Sequence, residues 1–446
     1  MERVYVLSSN LSRRRLRGIL KKKRKTTDRA AMAAIPSSMP AGVLERPKPK
    51  LSYRRSLISS LAAALILCGV WTVLGSLVVP MAIRVDFLTI YTEARMAAKG
   101  EYSRLHEPAL MQRRMKEIDP EAPAGPVVRP QFYAFLISPL ARLSHHTAFW
   151  VWIGIQVSLL FACWAWAVAR FGPDALIWGA LSVPCCLGIA HGQDCVLMLA
   201  IAIGGYALAK KKSYWAAGAV LALALMKFHL VLFLAPAMLL GRRWKMFGGF
   251  ASMAATLVGW CYLLGGAKGL ENYAALLRNK DLEKLNPAPD LMISIQGLLA
   301  NLHADFEVLR IVLGLVVLIA AGIALKERQP LWRWMSLAIT ASLFAAPHVY
   351  GYDAAMMVLP IWLVQAYSRK TATRAVFAAF ATPLPFLAGL AGQPWSIITP
   401  ICLGACFGTL AWEALTSRRN RDQAEIREVA PFEPSRDEFI LAEHAR

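Results

Sequence analysis

The sequence predicts an all-α protein that crosses a membrane many times. Three observations predict this fold class: the composition, the length of the apolar segments and the placement of positive charge. Of 446 residues, 57% are hydrophobic and 17% are charged, whereas soluble domains have about 45–50% apolar and about 25% charged residues. The mean hydropathy is +0.44. These values are typical of a polytopic membrane protein.

The apolar residues form twelve blocks along the chain. They lie at roughly 57–83, 147–169, 174–190, 194–209, 213–227, 229–241, 246–264, 307–325, 331–346, 353–367, 374–391 and 395–415. A spanning helix needs about 20 apolar residues. The short pair 213–227 and 229–241 predicts broken or tilted helices around Lys227, or one long helix. We expect a bundle of about 12 transmembrane helices, within a range of 10 to 13.

Positive charge predicts the orientation, because cytoplasmic loops are enriched in Lys and Arg. With a cytoplasmic N-terminus and twelve spans, five basic clusters fall on the cytoplasmic side: Lys210–Lys212, Arg242–Lys245, Lys326–Arg333, Arg369–Arg374 and Arg418–Arg421. Both termini are then cytoplasmic. Two larger loops, 84–146 and 265–306, lie on the extracytoplasmic side.

The two ends of the chain are polar. Residues 1–55 hold 16 Lys or Arg and 3 Asp or Glu, a pattern found in nucleic-acid-binding segments and also in tails that contact anionic lipid headgroups. A basic tail before a membrane span favours the lipid role, so we expect no nucleic-acid partner. We predict a disordered tail at 1–55, a membrane domain at 56–416 and a cytoplasmic tail at 417–446.

The sequence lacks the motifs of several common enzyme classes and cofactors. It has no P-loop, no GxSxG, no HExxH and no dinucleotide fingerprint. The eight cysteines show no metal-ligand spacing. We therefore expect no cofactor, no metal and no structural disulfide.

Asp86 follows the first apolar block directly and is the first candidate for chemistry. A carboxylate at the membrane interface can accept a proton from an attacking sugar hydroxyl. The alternative is an interfacial carboxylate that caps the following helix. Glu93 lies seven residues further on, and we expect it to pair with Arg95 or Arg84 rather than to act as a second catalytic carboxylate.

Polar residues at the predicted extracytoplasmic face mark a site, because such residues at membrane depth are costly unless they line a cavity. Arg129 and Tyr133 predict a phosphate contact beside an aromatic ring, or else an interfacial belt with a snorkelling Arg. In the turn His191-Gly-Gln193-Asp194 we expect His191 to bind phosphate and the other two to bind sugar hydroxyls. Asp194 can alternatively cap the next helix.

Lys227 stands inside a long apolar run and needs an anion. A lipid-linked phosphate meets that need, and so does an ion pair with Asp86, Asp194 or Asp353. His229 lies beside it. The segment from His348 to Asp353, including Tyr352, again combines phosphate-binding and sugar-binding side chains.

In this order the motifs resemble glycosyltransferase family 87, within the GT-C superfamily of polyprenyl-phosphate-sugar enzymes. The matching positions are Asp86-Phe, Tyr91, Ala94, Gly100, Tyr102, Phe132-Tyr133, Pro139-Leu140, Gly192-Gln193, Leu197, Lys227-Phe-His229, Ser294, Gly297-Leu298-Leu299, Pro347-His348 and Tyr352-Asp353. The resemblance covers about residues 57–415. Departures are the Arg129–Tyr133 segment where the family often has Tyr-Pro-Pro, Asp194 where it often has Asn, and Phe228 where it often has Pro.

The resemblance implies a GT-C-like bundle in a bacterial inner membrane. The implied reaction transfers a hexose, with mannose as the first choice, from a polyprenyl phosphate to a lipid or glycan acceptor on the extracytoplasmic side. Asp86 would be the base, and Lys227 with His348 or Arg129 would stabilise the phosphate. One base without a second nucleophile predicts inversion. The rival predictions are a transporter or lipid flippase and a non-catalytic membrane scaffold.

Overall fold

A computed structural model describes residues 58–67, 69–70, 86–122, 128–279, 288–304, 306–326 and 329–429, with side chains to residue 417. All regular structure in these ranges is helical. The predicted tail at 1–55, most of the first apolar block and residues 430–446 lie outside the described residues. The predicted C-terminal tail begins as helix, because the last described helix continues to Val429.

Eighteen α-helices are named here in chain order. They are α1 Ile58–Leu67, α2 Asp86–Ala98, α3 Pro108–Lys116, α4 Gln131–Ile137, α5 His145–Phe171, α6 Ala175–Ala180, α7 Val183–Ala190, α8 Cys195–Lys210, α9 Tyr214–Ala222, α10 Leu234–Leu240, α11 Trp244–Arg278, α12 Ile295–Asn301, α13 Glu307–Leu325, α14 Leu331–Ala345, α15 Val358–Tyr367, α16 Thr371–Ala381, α17 Leu384–Leu390 and α18 Ile398–Val429. Short 3-10 helices occur at Tyr102–Arg104, Ser138–Arg142, Leu223–Leu230, Pro289–Leu291, Gly351–Met357 and Trp395–Ile397.

Four described helices are long and apolar enough to span a membrane. They cover His145–Phe171, Trp244–Arg278, Glu307–Leu325 and Trp395–Ser417. A fifth span results if α16 and α17, which meet at a bend of 44°, are counted as one. The count of about 12 is therefore not confirmed. One reason is visible at the block 174–190, which is two short helices: Pro184 stands at the start of α7, where a residue without an N–H is tolerated.

The segment around Lys227 is broken, which was one of the two predicted possibilities. Helix α9 runs into a 3-10 helix, and Lys227 has non-helical backbone angles, φ −124° and ψ 62°. The next α-helix, α10, begins at Leu234. Inside a membrane bundle, backbone groups without helical hydrogen bonds are tolerated only where they are buried in protein or line a water-filled cavity. The break places Lys227 in the interior of the protein, where it is 6% exposed.

Close backbone contact joins α9 to α11. A Cβ atom on Gly218 would lie 1.9 Å from the carbonyl oxygen of Met246, and one on Gly249 would lie 1.9 Å from that of Trp215. Glycines of this kind let two membrane helices approach so closely that their backbones touch. The packing holds the broken segment against the first part of α11, a helix that is itself interrupted at Gly266, where φ is +63°.

Arg333 belongs to one of the basic clusters predicted for the cytoplasmic side, but it is not an exposed charge. Its side chain is buried and forms an ion pair of 3.0 Å with Glu413, while Ser368 donates to the other oxygen of that carboxylate at 2.7 Å. An Arg that is taken out of water needs such a partner. The pair connects α14 to α18 and is structural.

Candidate active site

The turn between α7 and α8 supplies three polar side chains, from His191, Gln193 and Asp194. Gly192 has φ +66°, a left-handed conformation that favours glycine. A Cβ atom there would come within 3.0 Å of the Phe87 side chain. The Gly192 carbonyl accepts a hydrogen bond of 2.8 Å from the Trp152 indole. The turn is thus fixed on its apolar side and presents its polar groups to the opposite side.

Asp86 is the first residue of α2, and both its oxygens contact this turn. The distance from its Oδ2 to Nδ1 of His191 is 2.5 Å. Nε2 of Gln193 donates to its Oδ1 at 3.1 Å. The Asp86 and His191 side chains are each 25% exposed. Asp86 is therefore held by two contacts and remains reachable from solvent.

Arg129 is buried, and it contacts three acceptor groups. Its Nε donates to Asp194 at 3.0 Å, and its two terminal nitrogens donate to Gln193 at 3.1 Å and to Glu93 at 3.4 Å. Its guanidinium lies 5.3 Å from the ring centre of Tyr133. A snorkelling Arg would reach water, whereas Arg129 is 7% exposed. The predicted interfacial belt is therefore wrong for this residue.

Glu93 was predicted to pair with Arg95 or Arg84, but the partner that the structure shows is Arg129, and Arg84 lies outside the described residues. Its carboxyl group faces inward from α2, is fully buried and contacts Arg129. The seven-residue spacing puts Glu93 and Asp86 on one helical face, and that face turns toward the interior. Burial raises the pKa of Glu93 to about 8, with a further increase from the charge of Asp194 and an opposing effect from Arg129.

Lys227 finds two of its three predicted counter-ions. Its Nζ lies 2.8 Å from Asp194 and 2.9 Å from Asp353, and it also contacts Oε1 of Gln193 at 3.4 Å. The Tyr352 ring centre is 5.5 Å away. Asp194 stands at the N-cap position of α8, but its side chain makes no capping hydrogen bond. Its carboxylate instead pairs with the two cations.

The charges of the buried part of the site cancel. Arg129 and Lys227 are positive, and Asp194 and Asp353 are negative. Glu93 completes the set as a neutral acid below its raised pKa of about 8. A buried group of charges is tolerated when every member is paired, which this arrangement achieves.

A row of aromatic rings continues from the Asp86 contact. Ring centres are 5.9 Å apart for His191 and Tyr352, 5.9 Å for Tyr352 and Tyr350, 5.0 Å for Tyr350 and His348, and 5.8 Å for His348 and His229. All five side chains are half-buried. Burial lowers the pKa of His348, with an opposing effect from Asp353, so its ring is neutral near pH 7. The row places the flat faces of five rings beside the carboxylate of Asp86.

The structure thus brings all eleven predicted site residues into one connected cluster. These are Asp86, Arg129, Tyr133, His191, Gln193, Asp194, Lys227, His229, His348, Tyr352 and Asp353. Two further members, Glu93 and Tyr350, were not among the eleven: the pairing of Glu93 with a nearby Arg was preferred, and Tyr350 was considered only as part of the 348–353 segment. The helical spacing from Asp86 pointed to Glu93, and the position of Tyr350 between His348 and Tyr352 pointed to it. No group of three His, Cys, Asp or Glu side chains in the described part of the chain is arranged to hold a metal ion.

Comparison with known families gives one match. The family model described as glycosyltransferase family 87 matches residues 129–347. This part of the chain belongs to glycosyltransferase family 87. No curated protein and no solved structure matches the chain. The family and the apolar helices together support a membrane glycosyltransferase.

The family 87 region contains most of the cluster but not all of it. It begins at Arg129 and ends at Pro347, so it includes the 191–194 turn and Lys227. Asp86 lies before it, and His348, Tyr352 and Asp353 lie after it. Direct contacts join these outer residues to the matched region, through the pairs of Asp86 with His191 and of Asp353 with Lys227. The cluster therefore extends beyond the residues that match family 87.

Proposed function

We propose that this family 87 protein transfers a hexose, with mannose as the first choice, from a polyprenyl phosphate to a lipid or glycan acceptor. The reaction takes place on the extracytoplasmic face of a bacterial inner membrane, with both termini in the cytoplasm. Asp86 is the general base. The observation that carries this assignment is the exposure of Asp86 among the four carboxylates of the cluster.

Only a reachable carboxylate can take a proton from an incoming hydroxyl group. The Asp86 side chain is 25% exposed, whereas those of Asp194 and Glu93 are 0% exposed and that of Asp353 is 2% exposed. The three buried groups also face cations. Of the four, Asp86 alone combines access to solvent with a contact to the neighbouring aromatic row.

The reaction is a single displacement. An acceptor hydroxyl attacks the anomeric carbon and gives its proton to Asp86, while the bond from that carbon to the phosphate oxygen breaks and its electron pair leaves with the polyprenyl phosphate. Inversion follows because the other three carboxylates of the cluster are buried and paired, so that none reaches the anomeric carbon as a nucleophile.

The burial of Lys227 and Arg129 revises their predicted role as direct phosphate ligands. Both side chains are already paired with carboxylates inside the protein. We assign the direct phosphate contact to the half-buried His348, which presents a ring N–H group. A neutral ring has one N–H, and in His191 that group faces Asp86 from Nδ1, so His191 supports the base rather than the phosphate. A donor aimed at the developing negative charge favours departure of the phosphate. The rings of Tyr350 and Tyr352 provide apolar faces on which a sugar packs.

The test uses the full chain in lipid vesicles with radiolabelled polyprenyl-phosphate mannose and a membrane-lipid extract. We expect the wild type to transfer sugar and Asp86→Asn to be slower by about 10²–10⁴-fold, because the amide keeps the shape of Asp86 but cannot accept the proton. Glu271→Gln is the matched control, since it neutralises an exposed carboxylate on α11. Full activity in Asp86→Asn would refute Asp86 as the base.

A panel of other polyprenyl-phosphate sugars separates a wrong donor from a wrong function. Transfer from another sugar would keep the enzyme and correct the hexose. Absence of transfer with every donor and acceptor would refute the proposal in favour of the transporter or flippase.

A further inference from the structure

Gln193 lies between the buried charges and the exposed base, and each end of its amide faces a different side. Its Oε1 accepts from Arg129 at 3.1 Å and from Lys227 at 3.4 Å. Its Nε2 donates to Asp86 at 3.1 Å. The side chain is 6% exposed. The sequence suggested a sugar-binding role for this residue, but its polar atoms are already occupied by protein groups.

The two cations determine which way the amide points. Arg and protonated Lys have only donors, so the group that faces them must be the oxygen of Gln193. The NH₂ group must then face Asp86. The opposite orientation would place an NH₂ group against two positive charges and a carbonyl oxygen against a carboxylate. The amide therefore has one favourable orientation.

The two cations are themselves held in place. Arg129 is paired with Asp194 and Glu93, and Lys227 with Asp194 and Asp353. The carbonyl oxygen of Arg129 lies 2.8 Å from the ring nitrogen Nε2 of the buried His106. Because that nitrogen faces an acceptor, it carries the proton and donates to the carbonyl. Side-chain and main-chain contacts thus fix Arg129 together.

We infer that Gln193 is a positioning residue that transmits the orientation of the buried Arg129–Lys227 pair to the base Asp86. The inference rests on the proposed function and deepens it. Arg129 and Lys227 then act on the reaction through Gln193 rather than by touching the donor. Within the described part of the chain, the other groups facing Asp86 are His191, which contacts it directly, and Tyr350 and Tyr352, whose phenol groups interact electrostatically with its charge.

The sharpest test is Gln193→Glu, which replaces only the NH₂ group by oxygen. The variant keeps an acceptor for Arg129 and Lys227, so both cations retain the contacts that they make with this side chain. It places a second carboxylate against Asp86 and removes a hydrogen bond. Both changes disfavour the ionised form of Asp86. Gln193→Met is the second variant, which removes the hydrogen bond without adding charge.

Two readouts distinguish positioning from sugar binding. In steady-state transfer by Gln193→Glu we expect kcat to fall by about tenfold or more, KM for the donor to stay within about twofold, and the acid limb of the pH–rate profile to move up by about one pH unit. Gln193→Met should lower kcat with a smaller displacement of the profile. A raised KM with an unchanged pH profile would show that Gln193 binds sugar and would overturn the inference.

The second readout needs no sugar transfer. Infrared difference spectra of the wild type identify the carboxyl band of Asp86 by its loss in Asp86→Asn. We expect this band to appear at higher pH in Gln193→Glu than in the wild type. An unmoved band would overturn the inference even if the protein proves not to be a transferase, so the two failures are distinguishable. The matched control is Gln365→Glu, a partly buried amide whose oxygen also faces an Arg, Arg374, away from the cluster.

Discussion

Removing the positive charge of Lys227 tests the buried charge balance most directly. In Lys227→Met the side chain keeps its approximate length, and the two ion pairs of 2.8 Å and 2.9 Å are lost. With an effective dielectric constant of about 20, each pair represents a gross attraction of about 6 kcal/mol. Desolvation offsets much of that attraction, and breaking a buried pair costs about 3–5 kcal/mol net.

The cost falls unequally on the two partners. Asp194 keeps a hydrogen bond of 3.0 Å from Arg129. Asp353 keeps only the contact of 3.1 Å with the backbone N–H of Tyr350 among its described partners. Asp353 is therefore the carboxylate left without a counter-ion. The double variant Lys227→Met with Asp353→Asn should regain most of the lost stability. Adding Asp194→Asn instead should not, because Arg129 would then keep only Glu93, which is neutral below its pKa of about 8.

Thermal unfolding in lipid nanodiscs measures these differences, with the fluorescence of the 14 tryptophans as the signal. In a chain of this length, a loss of one kcal/mol lowers Tm by about 2 °C at most. For the loss of about 3–5 kcal/mol, we therefore expect Lys227→Met to lower Tm by about 5 °C. Two results would refute the charge-balance reasoning. One is an unchanged Tm in Lys227→Met, and the other is equal recovery from the Asp353→Asn and Asp194→Asn additions.

Two further predictions concern His191, which contacts Asp86, and Glu93, which is buried on the same helix. In sugar-transfer assays, His191→Asn should keep a substantial part of the wild-type rate, because an Asn nitrogen can replace Nδ1 as the donor to Asp86. His191→Ala should lower the rate by about tenfold or more. An equal loss in both variants would show that the rest of the His191 ring takes part in the reaction. For Glu93, burial raises the pKa from 4.5 to about 8. The contribution of its neutral form to the free energy of unfolding is therefore complete below about pH 4.5 and is lost as the pH rises to about 8. Glu93→Gln should flatten this fall in a series of Tm measurements between those pH values, and an unchanged slope would contradict the raised pKa.

The sequence identified the members of the cluster better than their partners. A Lys inside an apolar run must meet an anion. The predicted partners of Lys227 were a lipid-linked phosphate or one of three carboxylates, and the structure pairs it with two of those carboxylates. Glu93 could not be placed in this way. Arg95 lies near it in sequence, but the choice of Arg129 depends on how the segment around α2 packs against α4 and the 191–194 turn.

The number of membrane spans was harder to predict, because hydropathy does not show where a helix breaks. The apolar run around Lys227 contains no proline or glycine at the break, yet the helix is interrupted there. The pairing of Lys227 with Asp194 and Asp353 depends on residues distant in sequence. Local periodicity contains no information about such contacts. The same limit applies to Arg333, whose partner Glu413 is 80 positions away.

The 191–194 turn makes two kinds of contact within four consecutive residues. His191 contacts Asp86, Asp194 joins the two buried cations, and Gln193 does both. A shift of this one turn disturbs the base and its electrostatic support at the same moment. We therefore expect few substitutions to be tolerated at residues 191–194, even where the surrounding helices accept many. A single substitution in this turn affects Asp86 and the buried charges together.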